Sequence, residues 1–478
     1  MANISLKKAA LINAASKYIS ILFSIAFSMI LARILTPEDY GIVAVTTVFT
    51  NFFSIFADMG ISVGIIQYKR LTEEDTNQIF SFSMCLALML ACMFAIASFG
   101  IAEFYSNDVY VPIGFLLAFS LFFSTINIVP NALLLKDKQF VTIAKRNIIV
   151  PFFTSLVCVG MACIGMKYWA LVWQAVLSGA ITFLWNLHSA WTQYHLRIHF
   201  GLGVAGIRKI FRYSAYQFLF GVINYFSRNL DNLLVGRYFG AAALGYYDKA
   251  YRLMSYPVGN LTHVITPVLQ PILSDYQDNK RYIYDKYISI IKFLSIAGIY
   301  IVCICYFMAD EIIYVMFGSQ WDSAVPYFKW LALSVWAQMI LGTTGSIFQS
   351  AGDTKRLFMT GCLTTCLTVS AIIEGVMTGE LIDVARNVML AYNLQFLLVM
   401  YILISLTLHQ PYAAFLRNFI PEIIMGIVLA VVGMNLDSVL INTSLAIDIL
   451  VKVVTFTSIF LLLCKLLNQL RYIRLFHK

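Results

Sequence analysis

Long apolar stretches recur along the whole chain and are separated by short polar loops. Each stretch is long enough to cross a hydrocarbon core of ~30 Å as an α-helix. The pattern predicts fourteen spans at 10–34, 41–66, 78–102, 110–135, 141–165, 168–190, 209–236, 243–272, 287–309, 325–350, 357–378, 386–408, 414–436 and 442–469. We therefore expect an all-α polytopic membrane protein.

The helices predicted at 209–236 and 243–272 each carry a polar face. Polar residues recur there at alternating steps of three and four, which places them on one side of an α-helix. The first face consists of Ser214, Gln217, Gly221, Asn224, Arg228 and Asp231, and the second of Lys249, Arg252, Tyr256, Gly259, His263, Thr266 and Gln270. Because charged groups within a membrane rarely face lipid, we expect both faces to line a cavity.

Spans 1 and 2 carry similar polar faces, whereas spans 3 to 6 are more uniformly apolar and are expected to pack toward lipid. We predict that the cavity binds an anion through three basic residues, Arg228, Lys249 and Arg252. Its other polar residues are predicted to be Asn13, Lys17, Ser20, Ser24, Asn51, Gln217, Asn224 and Tyr256, and the candidates for ion coupling are Asp58, Asp231 and His263. In the alternative interpretation the basic residues pair internally with Asp231, Asp248 or Glu38.

A short junction occurs twice in the chain. RILTPEDYG at Arg33–Gly41 and RYFGAAALG at Arg237–Gly245 both place an arginine eight residues before a glycine, at an offset of 204. The polar faces of spans 1 and 7 superpose at the same offset. This predicts a duplication into two pseudo-symmetric six-helix lobes around a central cavity. The predicted divisions are an N-lobe at 1–190, an inter-lobe loop at 191–208, a C-lobe at 209–408, and helices 13 and 14 with a basic tail at 409–478.

Composition and charge placement agree with this topology. The chain is 60% apolar and 12% charged, with a net charge of +9. Of its 33 lysines and arginines, 23 fall on the side of the membrane that holds both termini. Basic residues gather in cytoplasmic loops, so both termini are expected to be cytoplasmic. The basic balance reflects this asymmetry and does not indicate nucleic-acid binding.

Motifs for catalysis, metals or nucleotides do not stand out. The nine cysteines lie within predicted spans and include no CxxC pair, and there is neither a P-loop nor a glycine-rich nucleotide fingerprint. We expect no cofactor, no metal and no enzymatic activity. An integral-membrane ligase or acyltransferase of envelope polysaccharide would be the enzymatic alternative, but it would need a large loop, which the sequence lacks.

The segment VGRYFGAAALGYYDKAYRLMSYPVGNLTHVITPVLQPILSDYQ resembles the signature of Wzx-type polysaccharide exporters, most closely the colanic-acid and teichuronic-acid branch. RILTPEDYGIVAV, FADMGISVGIIQ, GSQWDSAVPYFKWLA and AGDTKR resemble further parts of that pattern. The family belongs to the multidrug/oligosaccharidyl-lipid/polysaccharide superfamily. The resemblance implies twelve helices in two lobes plus two more, and a flippase in the bacterial inner membrane.

The resemblance also implies a cargo and partners. The cargo would be an oligosaccharide repeat unit linked to undecaprenyl diphosphate, destined for O-antigen, capsule or exopolysaccharide. Membrane lipids, a coupling proton or sodium ion and a polysaccharide polymerase are the expected partners. A MATE-type ion-coupled multidrug exporter is the alternative transporter, although cationic drugs favour acidic cavities and this predicted cavity is basic.

Overall fold

A computed structural model describes residues 6–58, 61–68, 71–194, 214–440 and 444–474, and every regular element among them is helical. In the first part of the chain the helices are α1 (Leu6–Ile34), α2 (Pro37–Asp58), α3 (Ile61–Gln67), α4 (Glu73–Tyr105), α5 (Tyr110–Ile126), α6 (Ile128–Lys136), α7 (Phe140–Cys163), α8 (Tyr168–Tyr194) and α9 (Ser214–Ser274). The later helices are α10 (Lys280–Phe307), α11 (Ala309–Phe317), α12 (Val325–Ala332), α13 (Val335–Ser350), α14 (Thr354–Met377), α15 (Leu381–Tyr401), α16 (Tyr412–Arg417), α17 (Ile420–Val439), α18 (Leu445–Leu466) and α19 (Leu470–Arg474). A 3₁₀ turn (Ser319–Ala324) precedes α12, and a π-helical turn (Ile402–Thr407) extends α15.

Within the described residues, 11 helices are long and apolar enough to cross a membrane. The number rises to 12 if the pair Ser319–Ala332 and Val335–Ser350, bent by 55°, forms one span. The predicted all-α, multi-pass architecture is confirmed. The count of fourteen stays a prediction, because the spans predicted at 209–236 and 243–272 both fall on α9 and are outside these 12.

A glycine breaks the long helix α9. Gly240 has φ 86° and ψ 174°, which interrupts the helical backbone between its two halves. Only glycine adopts this conformation readily, because a Cβ would clash with the neighbouring peptide. The break lies in the segment GRYFGAAALG, where the sequence predicts a tight turn between two spans.

The chain divides into two compact units, Met1–Gly245 and Tyr246–Lys478. In the first unit α4 packs on α5, α1 on α7, and α5 on α8. In the second unit α14 packs on α15, while α10 contacts α13, α17 and α18. Most of the predicted inter-lobe loop at 191–208 lies outside the described residues, and the division into the predicted lobes stays a prediction.

Large apolar side chains cover much of the outer surface of the first unit. Leu88, Ile96 and Phe119 are between 59% and 70% exposed on α4 and α5. Such a surface suits contact with lipid tails, as expected for spans 3 to 6.

Candidate functional site

Three helices of the first unit present exposed polar side chains. Lys17 and Ser24 on α1, Asn51 and Asp58 on α2, and Arg228 on α9 are all exposed. A charged side chain in contact with hydrocarbon costs about 2.5–3.5 kcal/mol on insertion scales. Exposed charges on otherwise apolar membrane helices therefore require a space that water can enter.

Two predicted cavity residues already make hydrogen bonds within the first unit. Ser20 Oγ donates to the carbonyl oxygens of Ser16 at 2.8 Å and Asn147 at 3.0 Å, which ties α1 to α7. Asp58 Oδ1 accepts the backbone N–H of Ser62 at 3.3 Å, at the start of α3. Ser20 thus has a packing contact, whereas Asp58 remains exposed for a second partner.

The two predicted basic ligands of the second unit have different surroundings. Lys249 is 6% exposed, and its Nζ lies 5.1 Å from the ring centre of Phe317 and 5.8 Å from that of Trp321. Aromatic rings attract an ammonium through their quadrupole. Arg252 is more accessible, because its side chain is 58% exposed while its Nε donates to Asp248 Oδ2 at 2.7 Å. The exposed guanidinium is better placed than Lys249 to reach a ligand.

The structure describes the side chains of only some of the remaining predicted residues. Tyr256 is half-buried, and Asp231 is buried with its Oδ1 accepting the backbone N–H of Asn232 at 2.9 Å. Several predicted residues have side chains outside the described part of the structure: Asn13, Gln217, Asn224 and His263. The assignments of anion binding, sugar binding and ion coupling all remain predictions.

Sequence reasoning missed a buried cationic cluster in the first unit. Arg146 on α7 is 9% exposed, and its guanidinium donates to asparagine side chains on three elements. The acceptors are Asn147 Oδ1 at 2.7 Å, Asn131 Oδ1 at 2.8 Å and Asn186 Oδ1 at 2.9 Å. The sequence signal was three asparagines in the predicted spans 4 and 6, namely Asn127, Asn131 and Asn186. Asn127 belongs to the cluster because its Oδ1 accepts a hydrogen bond from Asn186 Nδ2 at 2.8 Å.

Buried ion pairs in the second unit were also missed. Lys292 on α10 pairs with Glu422 on α17, with side chains 4% and 1% exposed. Lys452 on α18 pairs with Glu311 at 2.6 Å and with Asp437 at 2.8 Å. Helical spacing on one chain segment favours a pair between Lys452 and Asp448, but the ammonium instead bonds partners that only the fold brings near.

Comparisons with known proteins agree with this architecture. The polysaccharide biosynthesis protein family matches residues 30–326. The teichuronic acid biosynthesis protein TuaB of Bacillus subtilis is 24% identical over 384 residues, covering 79% of this chain and 79% of that protein. The lipopolysaccharide biosynthesis protein WzxC of Escherichia coli is 23% identical over 406 residues, covering 81% of this chain and 79% of that protein.

Solved structures show the same fold. The lipid II flippase MurJ, in an inward closed conformation, aligns with a TM-score of 0.75 at 13% identity, covering 96% of this chain and 99% of that one. An inward-facing multidrug transporter of the MATE family aligns with a TM-score of 0.61 at 15% identity, covering 82% of this chain and 97% of that one. The family match spans more than half of the chain and its helical fold is that of membrane transporters, so the protein belongs to the polysaccharide biosynthesis protein family.

Proposed function

We propose that this protein is a flippase that moves oligosaccharide repeat units, linked to undecaprenyl diphosphate, across the bacterial cytoplasmic membrane. The observation that carries the proposal is the set of exposed polar side chains on α1, α2 and α9 in a membrane protein of this family. Relatives named for teichuronic acid and lipopolysaccharide biosynthesis support a glycan cargo. The fold shared with a lipid II flippase supports a cargo that is linked to a lipid.

The chemistry of the exposed residues suits such a cargo. Arg228 and Arg252 offer planar guanidinium groups, which bind diphosphate oxygens in a bidentate manner. Hydroxyl and amide side chains such as Ser24 and Asn51 suit hydrogen bonds to sugar hydroxyls. The polyprenyl tail would stay in lipid while the diphosphate and glycan enter the polar cavity, and rocking of one lobe against the other would expose the cavity to each side in turn.

The proposed function also includes an orientation in the membrane, a coupling ion and a protein partner. Both termini would lie in the cytoplasm, on the side where basic residues gather. A proton or sodium gradient would drive transport through Asp58, Asp231 or His263. A polysaccharide polymerase would receive the cargo on the far side of the membrane.

Export of cationic drugs is the second candidate, favoured only by the fold shared with the MATE transporter. Relatives named for polysaccharide synthesis, among them the succinoglycan biosynthesis transport protein ExoT of Rhizobium meliloti, speak for the glycan. Exposed arginines in the predicted cavity also disfavour a cationic cargo.

Deletion of the gene in its host tests the proposal. We expect loss of one surface polysaccharide and accumulation of its lipid-linked repeat unit on the cytoplasmic side, measured by mass spectrometry of extracted lipids and by accessibility to an impermeant sugar-oxidising reagent. Complementation should reverse both. An unchanged polysaccharide together with increased sensitivity to cationic drugs would contradict the proposal and support the alternative.

A further inference from the structure

Three elements of the second unit converge on the ammonium of Lys452. Its Nζ donates to Glu311 Oε1 at 2.6 Å and to the carbonyl oxygen of Phe307 at 3.0 Å, and it lies 2.8 Å from Asp437 Oδ1. An ammonium has three hydrogens, so these three acceptors use its full donor capacity. α18 is thereby bound to the end of α10, to α11 and to α17.

One carboxylate of this cluster is only half satisfied. Glu311 is 7% exposed, and its Oε2 is buried without a hydrogen-bond partner among the described residues. Lys452 is also 7% exposed, whereas the side chain of Asp437 is 49% exposed. A buried carboxylate oxygen without a partner is unfavourable, because it has lost the water that would stabilise its charge. Asp437 gives the cluster contact with the surroundings.

The cluster carries surplus negative charge. Glu311 and Asp437 bring two carboxylates to the single ammonium of Lys452. Other titratable or charged groups on the neighbouring elements include Tyr300, Cys303, Cys305, Tyr306, Asp310, Tyr314 and Asp448, and Lys329 lies on α12. Lys329 pairs with Asp310 at 2.7 Å, so it does not compensate the surplus. Asp448 lies one turn from Lys452 on α18 and has contacts of its own.

The pair Lys292–Glu422 shows what a balanced site looks like in the same helices. There one ammonium faces one carboxylate at the opposite end of α10 and α17, and Lys292 Nζ also donates to the carbonyl oxygen of Asn418 at 2.5 Å. The Lys292 site joins α10 to α17, whereas the Lys452 site joins α11, α17 and α18. Buried carboxylate oxygens without a hydrogen-bond partner among the described residues occur at both sites, on Glu311 and on Glu422, but only the Lys452 site brings a second carboxylate to one ammonium.

A proton fits the surplus better than a metal cation does. A metal ion at Glu311 would lie close to the ammonium of Lys452 and would be repelled by it in a buried environment. A proton on Oε2 instead converts Glu311 into a neutral carboxylic acid, and leaves Oε1 bonded to Lys452. The charge of the cluster then balances, since Lys452 retains Asp437 as its counter-ion.

We propose that Glu311, Lys452 and Asp437 form a proton-binding site that couples the C-terminal helices α17 and α18 to the pH of the adjoining compartment. The site lies where α10 and α17 end and α18 begins. The placement of basic residues puts that end on the non-cytoplasmic side of the membrane. The site is distinct from the predicted coupling residues Asp58, Asp231 and His263, and does not depend on the identity of the cargo.

Thermal unfolding of the purified full-length protein in detergent, followed between about pH 5 and pH 8, tests the site. A proton that the folded protein holds more tightly than the unfolded chain stabilises the folded state. This stabilisation is lost as the pH rises and the folded protein releases the proton. We expect the wild-type Tm to fall over this range. Glu311→Gln, which resembles the protonated acid, should flatten that dependence and keep the low-pH Tm. The control Asp285→Asn, at the exposed ion pair with Arg281 on α10, should keep the wild-type dependence on pH.

Infrared difference spectroscopy provides a second readout. An ion pair that takes up no proton would give no carboxylic acid band in the difference spectrum. Wild-type protein brought from high to low pH should gain a carboxylic acid C=O band, which Glu311→Gln abolishes and the control Asp285→Asn retains. Asp437→Asn removes the surplus charge and should also abolish the band. If the band persists in Glu311→Gln and Asp437→Asn, or if their Tm depends on pH as in wild type, the cluster is a fixed ion pair and the proposal is wrong.

Discussion

Gly41 packs against the carbonyl oxygen of Ala241, and Gly245 packs against the carbonyl oxygen of Pro37, so closely that a Cβ on either glycine would overlap the oxygen. Both contacts lie within the first unit. Positions 37 and 41 become 241 and 245 at an offset of 204, so the two contacts are reciprocal. Twofold-related surfaces make reciprocal contacts of this kind. The short repeat in the sequence therefore has a structural counterpart where α2 crosses α9.

The glycine crossing should be intolerant of even one added methyl group. We expect Gly41→Ala and Gly245→Ala each to destabilise the protein by roughly 1–3 kcal/mol, because backbone atoms must move to accommodate the Cβ. Gly100→Ala in α4 is the matched control, since a Cβ there meets nothing within 4 Å. The measurement is Tm in detergent, and wild-type Tm in both crossing variants would contradict the geometry.

The cluster around Arg146 should accept a counter-charge. Asn131 Oδ1 takes a hydrogen bond from the buried guanidinium at 2.8 Å, so Asn131→Asp places a carboxylate there without changing the shape. We expect a higher Tm for this variant, because no acidic partner of Arg146 lies among the described residues. Arg146→Gln should lower the free energy of unfolding by about 1–3 kcal/mol for each amide oxygen left unpaired, and the Tm should fall with it. A lower Tm for Asn131→Asp would show that the guanidinium is already compensated.

The buried pair Lys292–Glu422 should be far more sensitive to the loss of one partner than of both. Lys292→Met leaves a buried carboxylate without its cation, which typically costs about 3–5 kcal/mol. The double variant Lys292→Met with Glu422→Gln removes both charges and should recover most of that loss. Thermal unfolding measures both. Additive destabilisation in the double variant would mean that the two side chains act independently.

The proposed anion site depends on the two exposed arginines. Hydrogen bonds to charged groups contribute about 1.5–3 kcal/mol, so Arg228→Ala or Arg252→Ala should lower the affinity for a lipid diphosphate roughly ten- to a hundredfold. Substitution with lysine should rescue export only partly, because the bidentate fork is lost. Export is measured by restoration of the polysaccharide in the deletion strain at matched protein level.

A matched control separates the binding role from the loss of an exposed ion pair. Arg386 pairs with Asp383 at 3.0 Å and is 45% exposed, much as Arg252 pairs with Asp248. Arg386→Ala should leave export unchanged. If the variant carrying both Arg228→Ala and Arg252→Ala complements fully, the arginines have only structural roles.

The topology predicted from basic residues can be tested by labelling. In a cysteine-free background, single cysteines at Asn107 and Ser319 should react with an impermeant maleimide from outside the cell, whereas one at Asn279 should not. All three positions are polar and adjoin helix ends, and Ser319 and Asn279 are exposed. Labelling of Asn279→Cys in intact cells would reverse the proposed orientation.

The sequence by itself determined the helices and the protein class. Apolar runs separated by polar turns dictate spanning helices, because lipid cannot hydrogen-bond to an open backbone. The resemblance to polysaccharide exporters was likewise readable from motifs such as RYFGAAALGYYDKAYRL, and it is confirmed. The turn before the second half of α9 was also predictable, since it contains a glycine, Gly240, where only glycine fits.

Only the tertiary structure decided the partners of the buried charges. Helical periodicity shows which side chains share a face, and it therefore favours local pairs such as Lys452 with Asp448. The ammonium of Lys452 instead meets Glu311, 141 positions away along the chain. Likewise, Lys249 shares its predicted polar face with Arg252 but lies against Phe317 and Trp321. The physical reason is that burial makes an unpaired charge costly, so each charge takes the best-placed partner in space, and sequence spacing along one helix cannot specify which other helix will supply it.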